Sequence, residues 1–479
     1  MSKKVKNILL LLGLFLLFSG CMSQSGEAFF TLPQLSDDYV ALQTAINEAM
    51  SALGTGAEYA APSAGSNMQT IQLQDLDGDG VRESAVAFFR VLGEEKPLKI
   101  YVFRQDQVTG EYEVCWTIEG DGTAIYSIAY ENLGGSEDRE LVVSWQISAQ
   151  VRSLAVYSLQ PDNEVVELMR SGYARGAVVD LDRDNEKEIV LVQLDTAENN
   201  SRAELYNYEN GLMVLSSAAP LSLGVTTAQT AKEGVLTNLA PALFVSSDYG
   251  ENGGYITDVI TLRDGALVNL TLDETTGVSA ANIRYYKDFQ DANGADINSD
   301  GILELPIPRT LPMLEETGQQ MYLLDWNQYG PNGEITRVCT TFHCYDDGWY
   351  LVLPENWQGE IAAARRDSST ASVTERAVVF YHWTEEMAQA RAEARAAAEA
   401  DPEAETDPGP SPEAFLTVYR LTGANRTLRA KRDERFILFE SSDVIYAARF
   451  QDASWACGLD NDTLRERFNR VRVNWSAES

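Results

Sequence analysis

The chain has 479 residues, 44% of them hydrophobic and 23% charged, the profile of a folded protein and not of a disordered one. Lys+Arg total 37 against 72 Asp+Glu, a formal charge of −35, so DNA, RNA and bare anionic lipid are excluded as main partners, because binding to phosphate depends on Lys and Arg displacing counterions. His343 and His382 are the only histidines, which makes histidine-based zinc sites and Ser-His-Asp chemistry poor expectations on supply alone.

Residues 1–20 read as an address and not as part of the fold. Lys3, Lys4 and Lys6 precede the apolar run Ile8 to Phe18, which is too short to span ~30 Å of hydrocarbon and therefore reads as a signal peptide. Ser19-Gly20-Cys21 follows and resembles a bacterial lipobox, with Phe18 where that motif usually has Leu. The resemblance implies lipidation of Cys21 and an exported protein anchored to the outer face of the cytoplasmic membrane. Two or three acyl chains hold stably where one does not. Ordinary secretion with Cys21 incidental is the other reading. Cys115, Cys339, Cys344 and Cys457 are too few for a disulfide framework. Cys339 and Cys344, on one strand, would face opposite sides, and buried free thiols are expected.

Residues 21–65 read as a tether and one helix. Ser36-Asp37-Asp38 offers an N-cap and first-turn acids, Tyr39, Leu42, Ile46, Met50 and Leu53 follow at helical spacing, and Gly54 ends the pattern. From residue 66 to 345 the texture is short β runs between Gly, Asn and Asp, such as Ile100 to Phe103, Leu141 to Trp145, Ile189 to Val192 and Val259 to Leu262. A repeat runs through them. Asp75 to Glu83, Asp180 to Glu188 and Asp296 to Glu304 each precede an apolar strand, and Glu131 to Glu140 is a degenerate copy. The interval from 180 to 296 is about twice the others, so one copy has decayed near Asn238-Leu239-Ala240. Five units of about 55 residues match four-stranded propeller blades, and up to seven stay open. The fold expected is mainly β, a β-propeller followed by a smaller α+β domain over 346–479.

In that last part, Trp349 to Trp357 reads as an opening strand. Further strands are expected at Arg376 to Tyr381, Phe415 to Tyr419, Phe436 to Phe439 and Val444 to Tyr446, and a final helix over Asp462 to Val471. Residues 385–413 are a low-complexity insertion, helical at first from Ala propensity and then linker. Each histidine lies among aromatic residues, where packing is the expected role.

The chemistry lies in the acidic loops. All three place acids at positions 1, 3, 5 and 9, with Asn298 as the single amide, and such like charges repel unless a hard cation sits among them. Ca²⁺ suits a tolerant shell of six to eight oxygens. Position 6 is Gly80, Asn185 or Gly301, residues that accept a left-handed backbone. An EF-hand fails in every copy, because position 12 is Val86, Leu191 or Ile307 and strand formers follow. Over residues 66–345 the pattern resembles the integrin-α-type repeat, also called FG-GAP or VCBS, although the Phe-Gly and Gly-Ala-Pro signatures are missing. The resemblance implies that Asp75, Asp77, Asp79 and Glu83 ligate calcium, as do Asp180, Asp182, Asp184 and Glu188, and Asp296, Asn298, Asp300 and Glu304.

The function expected is non-catalytic: a monomeric cell-surface lipoprotein, its propeller stabilised by calcium, binding an extracellular or envelope protein or glycan, with no nucleic acid involved. A carboxylate-based polysaccharide-cleaving enzyme is the first alternative. A solute-binding lipoprotein of a transporter is the second, disfavoured because alternating βα units are absent. Cys21→Ser is expected to move the protein from the membrane fraction to the medium, since each buried acyl CH₂ contributes ~0.8 kcal/mol. Fractionation and immunoblotting check this, and undiminished membrane retention would remove the anchor.

Overall fold

The computed structural model describes residues 37–471, apart from 107, 135, 150, 251–253, 284–293, 315–319, 371–372 and 401–406. The signal peptide, Cys21 and the tether lie outside the described residues. Two compact units divide the chain, one made by the first helix and first sheet, the other by the remaining sheets.

The first unit holds α1, Asp37–Leu53, which ends where expected, at Gly54 with φ +96°. Its apolar stripe of Leu42, Ile46 and Ala49 packs on Ala85, Ala87, Phe89 and Phe103 of the first sheet. That sheet is an antiparallel meander of Ile71–Gln74, Ser84–Val91, Leu98–Gln105 and Tyr112–Gly120, and Ala57–Tyr59 extends its first position end to end.

In the second unit the same meander recurs. The second sheet is Ala124–Glu131, Glu140–Gln146, Arg152–Leu159 and Val165–Tyr173; the third is Arg175–Val179, Glu188–Gln193, Arg202–Glu209 and Leu212–Pro220. The fourth is Val225–Val235, Pro241–Tyr249, Gly254–Arg263 and Ala266–Asn269. Consecutive sheets stack face to face, and one strand shows why it is apolar throughout. Ile189 and Leu191 pack against Val142, Leu154 and Val156 of the second sheet, whereas Val190 and Val192 pack against Leu243, Val245 and Ile260 of the fourth. Successive side chains point to opposite faces, so a strand covered on both sides must be apolar at every position.

The fourth sheet repeats this, with Leu243 facing the third sheet and Phe244 facing Leu303 and Leu305 beyond. Its buried polar knot is Asp258, which is 0% exposed and accepts hydrogen bonds from Ser222 N–H at 3.1 Å, Ser222 Oγ at 2.7 Å and Asn269 Nδ2 at 2.8 Å. The knot ties the loop leaving the third sheet to the centre of the fourth.

The fifth sheet is Leu305–Thr310, Tyr322–Tyr329, Ile335–Cys344, Trp349–Val352 and, last, Phe468–Arg470. Two expectations are corrected here. Trp349–Val352 does not open a separate domain: it pairs with Ile335–Cys344 through Cys344↔Trp349 to Thr341↔Val352. The final helix stops early, α4 being Asn461–Arg467, and Phe468–Arg470 turns into a strand beside Trp349. The ring of Phe468 stacks on Trp349 at 5.7 Å, a tertiary contact that outweighs local helix propensity.

The sixth sheet runs in the order Ile361–Arg365, Val373–His382, Glu413–Gly423, Val444–Phe450, Phe436–Glu440. Phe380, Leu416 and Val418 on it share a core with Phe342, Trp349 and Leu351 of the fifth. The low-complexity insertion contributes α2, Glu385–Ala400, which has no buried residue; α3 is Arg426–Arg429. The four described cysteines are free, but only Cys344 is fully buried, the other three being partly exposed. His343 is enclosed by Trp326, Tyr345 and a stacked Tyr350, and burial pushes its pKa down to about 3; His382 stacks on Trp455 at 4.9 Å. His343 is packed among aromatic rings as expected, while His382 adds to its stack a contact of its Nε2 with Glu360 Oε2 at 3.4 Å.

The chain is mainly β, composed of small antiparallel sheets of mostly four or five strands, of the kind found in propeller blades, with a smaller α+β part at the C-terminal end. Asp258→Asn presents an amide where three donors converge and is expected to destabilise by about 1–3 kcal/mol. Urea unfolding checks it, and an unchanged midpoint would mean that the knot carries no stability.

Candidate metal centres

Two of the acidic loops form the turn between the first and second strands of their sheets, and the third leads into the first strand of the fifth sheet. Asp75 to Glu83 joins Ile71–Gln74 to Ser84–Val91, and Asp180 begins the turn from Arg175–Val179 to Glu188–Gln193. The third loop is closed by the bridge Ala295↔Glu304 and runs directly into Leu305–Thr310. Asn238-Leu239-Ala240 falls between the first and second strands of the fourth sheet, Val225–Val235 and Pro241–Tyr249, where the decayed copy was expected. There Asn238 Oδ1 accepts only the Ala240 N–H, at 3.0 Å.

The three loops share one hydrogen-bond pattern. The position-1 carboxylate takes the position-6 N–H: Asp75 from Gly80 at 3.0 Å, Asp180 from Asn185 at 3.2 Å, Asp296 from Gly301 at 2.9 Å. Position 5 takes the N–H of position 7, Asp79 from Val81 at 2.7 Å, Asp184 from Glu186 at 2.8 Å and Asp300 from Ile302 at 2.8 Å. The left-handed backbone expected at position 6 is present, with φ of +90°, +73° and +87°. Position 4 is left-handed as well, at Gly78, Arg183 and Ser299, with φ of +74°, +66° and +63°. Residue type hid this, because Arg and Ser carry no left-handed signature.

Carboxylate oxygens converge within 4.8 Å in each loop: Asp75, Asp77, Asp79 and Glu83; Asp180, Asp182 and Glu188; Asp296, Asp300 and Glu304. Asp184 is not brought into the second cluster. Asn298 in the third donates its Nδ2 to Asp300 Oδ2 at 2.8 Å.

Equal sequence spacing conceals two registers. In the second and third loops the position-9 glutamate pairs with the residue just before the loop, Val179↔Glu188 and Ala295↔Glu304, and the degenerate copy does the same with Glu131↔Glu140. These glutamates are buried, and each accepts the N–H of position 2: Leu181 to Glu188 at 2.8 Å, Ile297 to Glu304 at 2.9 Å, Leu133 to Glu140 at 3.0 Å. This bond sets the start of the degenerate copy at Asn132, one residue later than the sequence suggests. In the first loop Gln74 pairs with Ser84 instead, so the turn is one residue longer and Glu83 lies outside the strand. Glu83 Oε2 and Asp75 Oδ1 are both buried there without any hydrogen-bond donor.

The electrostatics separate the loops further. Burial, then the charges of Asp77 and Asp79, hold the Glu83 carboxyl above its ordinary range. Burial, joined by Asp182, Asp184 and Asp180, pushes Glu188 up to about 7. In the third loop burial likewise holds Glu304 above its ordinary range, whereas for Asp300 burial is outweighed by hydrogen bonds from Ile302, Asn298 and Gln328, which leave its carboxyl below the usual range. A divalent cation fits the first cluster best: four carboxylates, two oxygens with no other partner, and a shell of oxygen only. Beside the second loop is an open recess of about 270 Å³, lined in part by Asp182, Arg183, Asn238 and Asp264.

Glu140 separates the role of the position-9 glutamate from that of the acids at positions 1, 3 and 5, which are Asn132, Gly134 and Ser136 in its loop. Burial raises its pKa, so its charged form opposes folding, and stability falls as pH rises from the ordinary carboxylate range through the raised value. Glu140→Gln keeps an acceptor for Leu133 N–H without the charge and is expected to be neutral or stabilising at pH 7. Glu140→Leu orphans that N–H and is expected to cost about 1–3 kcal/mol. Urea midpoints of the two variants check the contrast, and equal losses would refute it.

No family model and no curated protein matches the chain. Among solved structures it is similar to a putative 6-phosphogluconolactonase from Bacteroides uniformis at 13% identity and TM-score 0.28, over 68% of this chain and 84% of that one. A protein from Lactobacillus plantarum matches at 10% identity and TM-score 0.28, over 68% and 83%. Sqt1 of Saccharomyces cerevisiae matches at 8% identity and TM-score 0.28, over 82% and 99%. Likeness at this level carries no argument about function.

Proposed function

We propose that the chain is an exported lipoprotein, tethered through Cys21, whose blade sheets form a propeller held by calcium and bind an extracellular protein or glycan. The observation that carries the calcium part is the first loop, where four carboxylates converge within 4.8 Å around buried oxygens of Asp75 and Glu83 that have no donor. Buried anionic oxygens without partners are costly, and a hard cation is the group that removes the cost. The second loop supports the reading with the crowding of Asp180, Asp182 and Glu188. The binding part rests on the formal charge of −35, which turns away polyanions, and on the lack of any second chemistry in the sequence.

Calcium binds the folded hairpin in preference to the unfolded chain and stabilises by about 2.7 kcal/mol per site at a hundredfold excess over Kd. The melting temperature is expected to rise with Ca²⁺, fall with chelator, and respond much less to Mg²⁺, which demands tighter octahedral geometry. Replacing Asp77 and Asp79 by Ala is expected to remove one increment. Melting indifferent to calcium and chelator would reduce these loops to acidic turns. A panel of cell-wall and plant glycans tests the rest: retention without cleavage supports a binding protein, and chain shortening would make it an enzyme.

A further inference from the structure

We infer that the third loop closes without a cation, the side-chain amide of Gln328 standing where an ion would sit. The inference rests on the calcium reading for the first and second loops and divides the repeat into two kinds of turn. Gln328 lies on Tyr322–Tyr329, is 7% exposed, and is the cross-strand neighbour of Glu304, one step beyond the pair Leu305↔Asn327. Its Nε2 is 2.7 Å from Asp300 Oδ2 and 2.7 Å from Glu304 Oε1, one hydrogen for each carboxylate.

Every other carboxylate oxygen of the cluster also has a protein donor. Asp296 takes the N–H groups of Asp300 at 3.0 Å and Gly301 at 2.9 Å, Asp300 Oδ1 takes that of Ile302 at 2.8 Å, and Glu304 Oε2 takes that of Ile297 at 2.9 Å. Asn298 in place of an acid removes one charge and adds a second amide donor to Asp300 Oδ2. Turning the Gln328 amide over would set its oxygen against two carboxylates.

The matching positions in the other two sheets do not do this. Gln105, opposite Glu83, donates its amide to Asp38 at 3.2 Å and to the Gly110 carbonyl at 3.1 Å. Asn207, opposite Glu188, uses its side-chain oxygen to accept from Ser216 Oγ at 2.7 Å. Neither reaches its acidic cluster, and the first loop keeps its orphaned oxygens.

Calorimetric titration of the mature chain with Ca²⁺ alone counts the ions, alongside melting in chelator. Two ions are expected for the wild type and none for the double variant Asp77→Asn, Asp182→Asn; one ion retained by that variant would overturn the inference. Gln328→Glu replaces the donor with a further carboxylate, so in chelator its melting temperature is expected to fall by roughly 3–6 °C, with calcium restoring it and adding one bound ion. If the wild type binds no calcium, the reading of the first two loops fails and the chelator experiment alone decides this one. A lowered melting temperature for Gln328→Glu then upholds the inference, and an unchanged one overturns it.

Discussion

The rest of the structure depends on one constraint: within the second unit, a sheet must bury both of its faces against its neighbours. Glu188–Gln193 shows it residue by residue, with Ile189 and Leu191 directed to the second sheet and Val190 and Val192 to the fourth. Burying such side chains contributes about 1.5–3 kcal/mol each, which makes the stacking of sheets the main source of stability. It also fixes the turns. A one-residue slip of the second strand would exchange its two faces, so the loop that feeds it must deliver it in register.

That requirement explains the position-9 glutamate. Glu140 and Glu188 open the second strand of their sheets, Glu304 immediately precedes Leu305–Thr310, and each accepts the N–H of position 2 in its own loop, closing the turn on itself. The bond is also present in the loop that ends at Glu140, where positions 1, 3 and 5 are Asn132, Gly134 and Ser136. The glutamate is therefore a tie of the hairpin in its own right. In the first loop the extra residue frees Glu83 from this duty, and its Oε2 is left buried and unpartnered. One nine-residue spacing thus serves turns of different chemistry.

The C-terminal sheets are joined by a different device. Asp347, 3% exposed, accepts from Arg365 at 3.1 Å and Arg376 at 3.0 Å, and its carbonyl takes the Tyr446 hydroxyl at 2.6 Å. The carboxylate is buried while both guanidiniums reach solvent, so the two ion pairs keep that buried charge compensated and tie the fifth sheet to the sixth. The aromatic core around Phe342, Phe380 and Trp357 supplies the adhesion.

Much of this was legible along the chain. The limits of α1 followed from Asp37, Asp38 and Gly54, and the strands from β-rich runs between turn residues. A turn at Asn238 stands where the spacing of the acidic loops leads one to look for it. These features are local: capping, turn chemistry and periodicity act over a few residues and leave their mark in order. What the tertiary structure decided is non-local. The pairing of Phe468–Arg470 with Trp349–Val352 joins segments more than a hundred residues apart, and no local signal records it. The register that separates Glu83 from Glu188 and Glu304 depends on which strand residue pairs across the turn. The reach of Gln328 into the third loop depends on its cross-strand neighbour, a partner that the order of residues does not name.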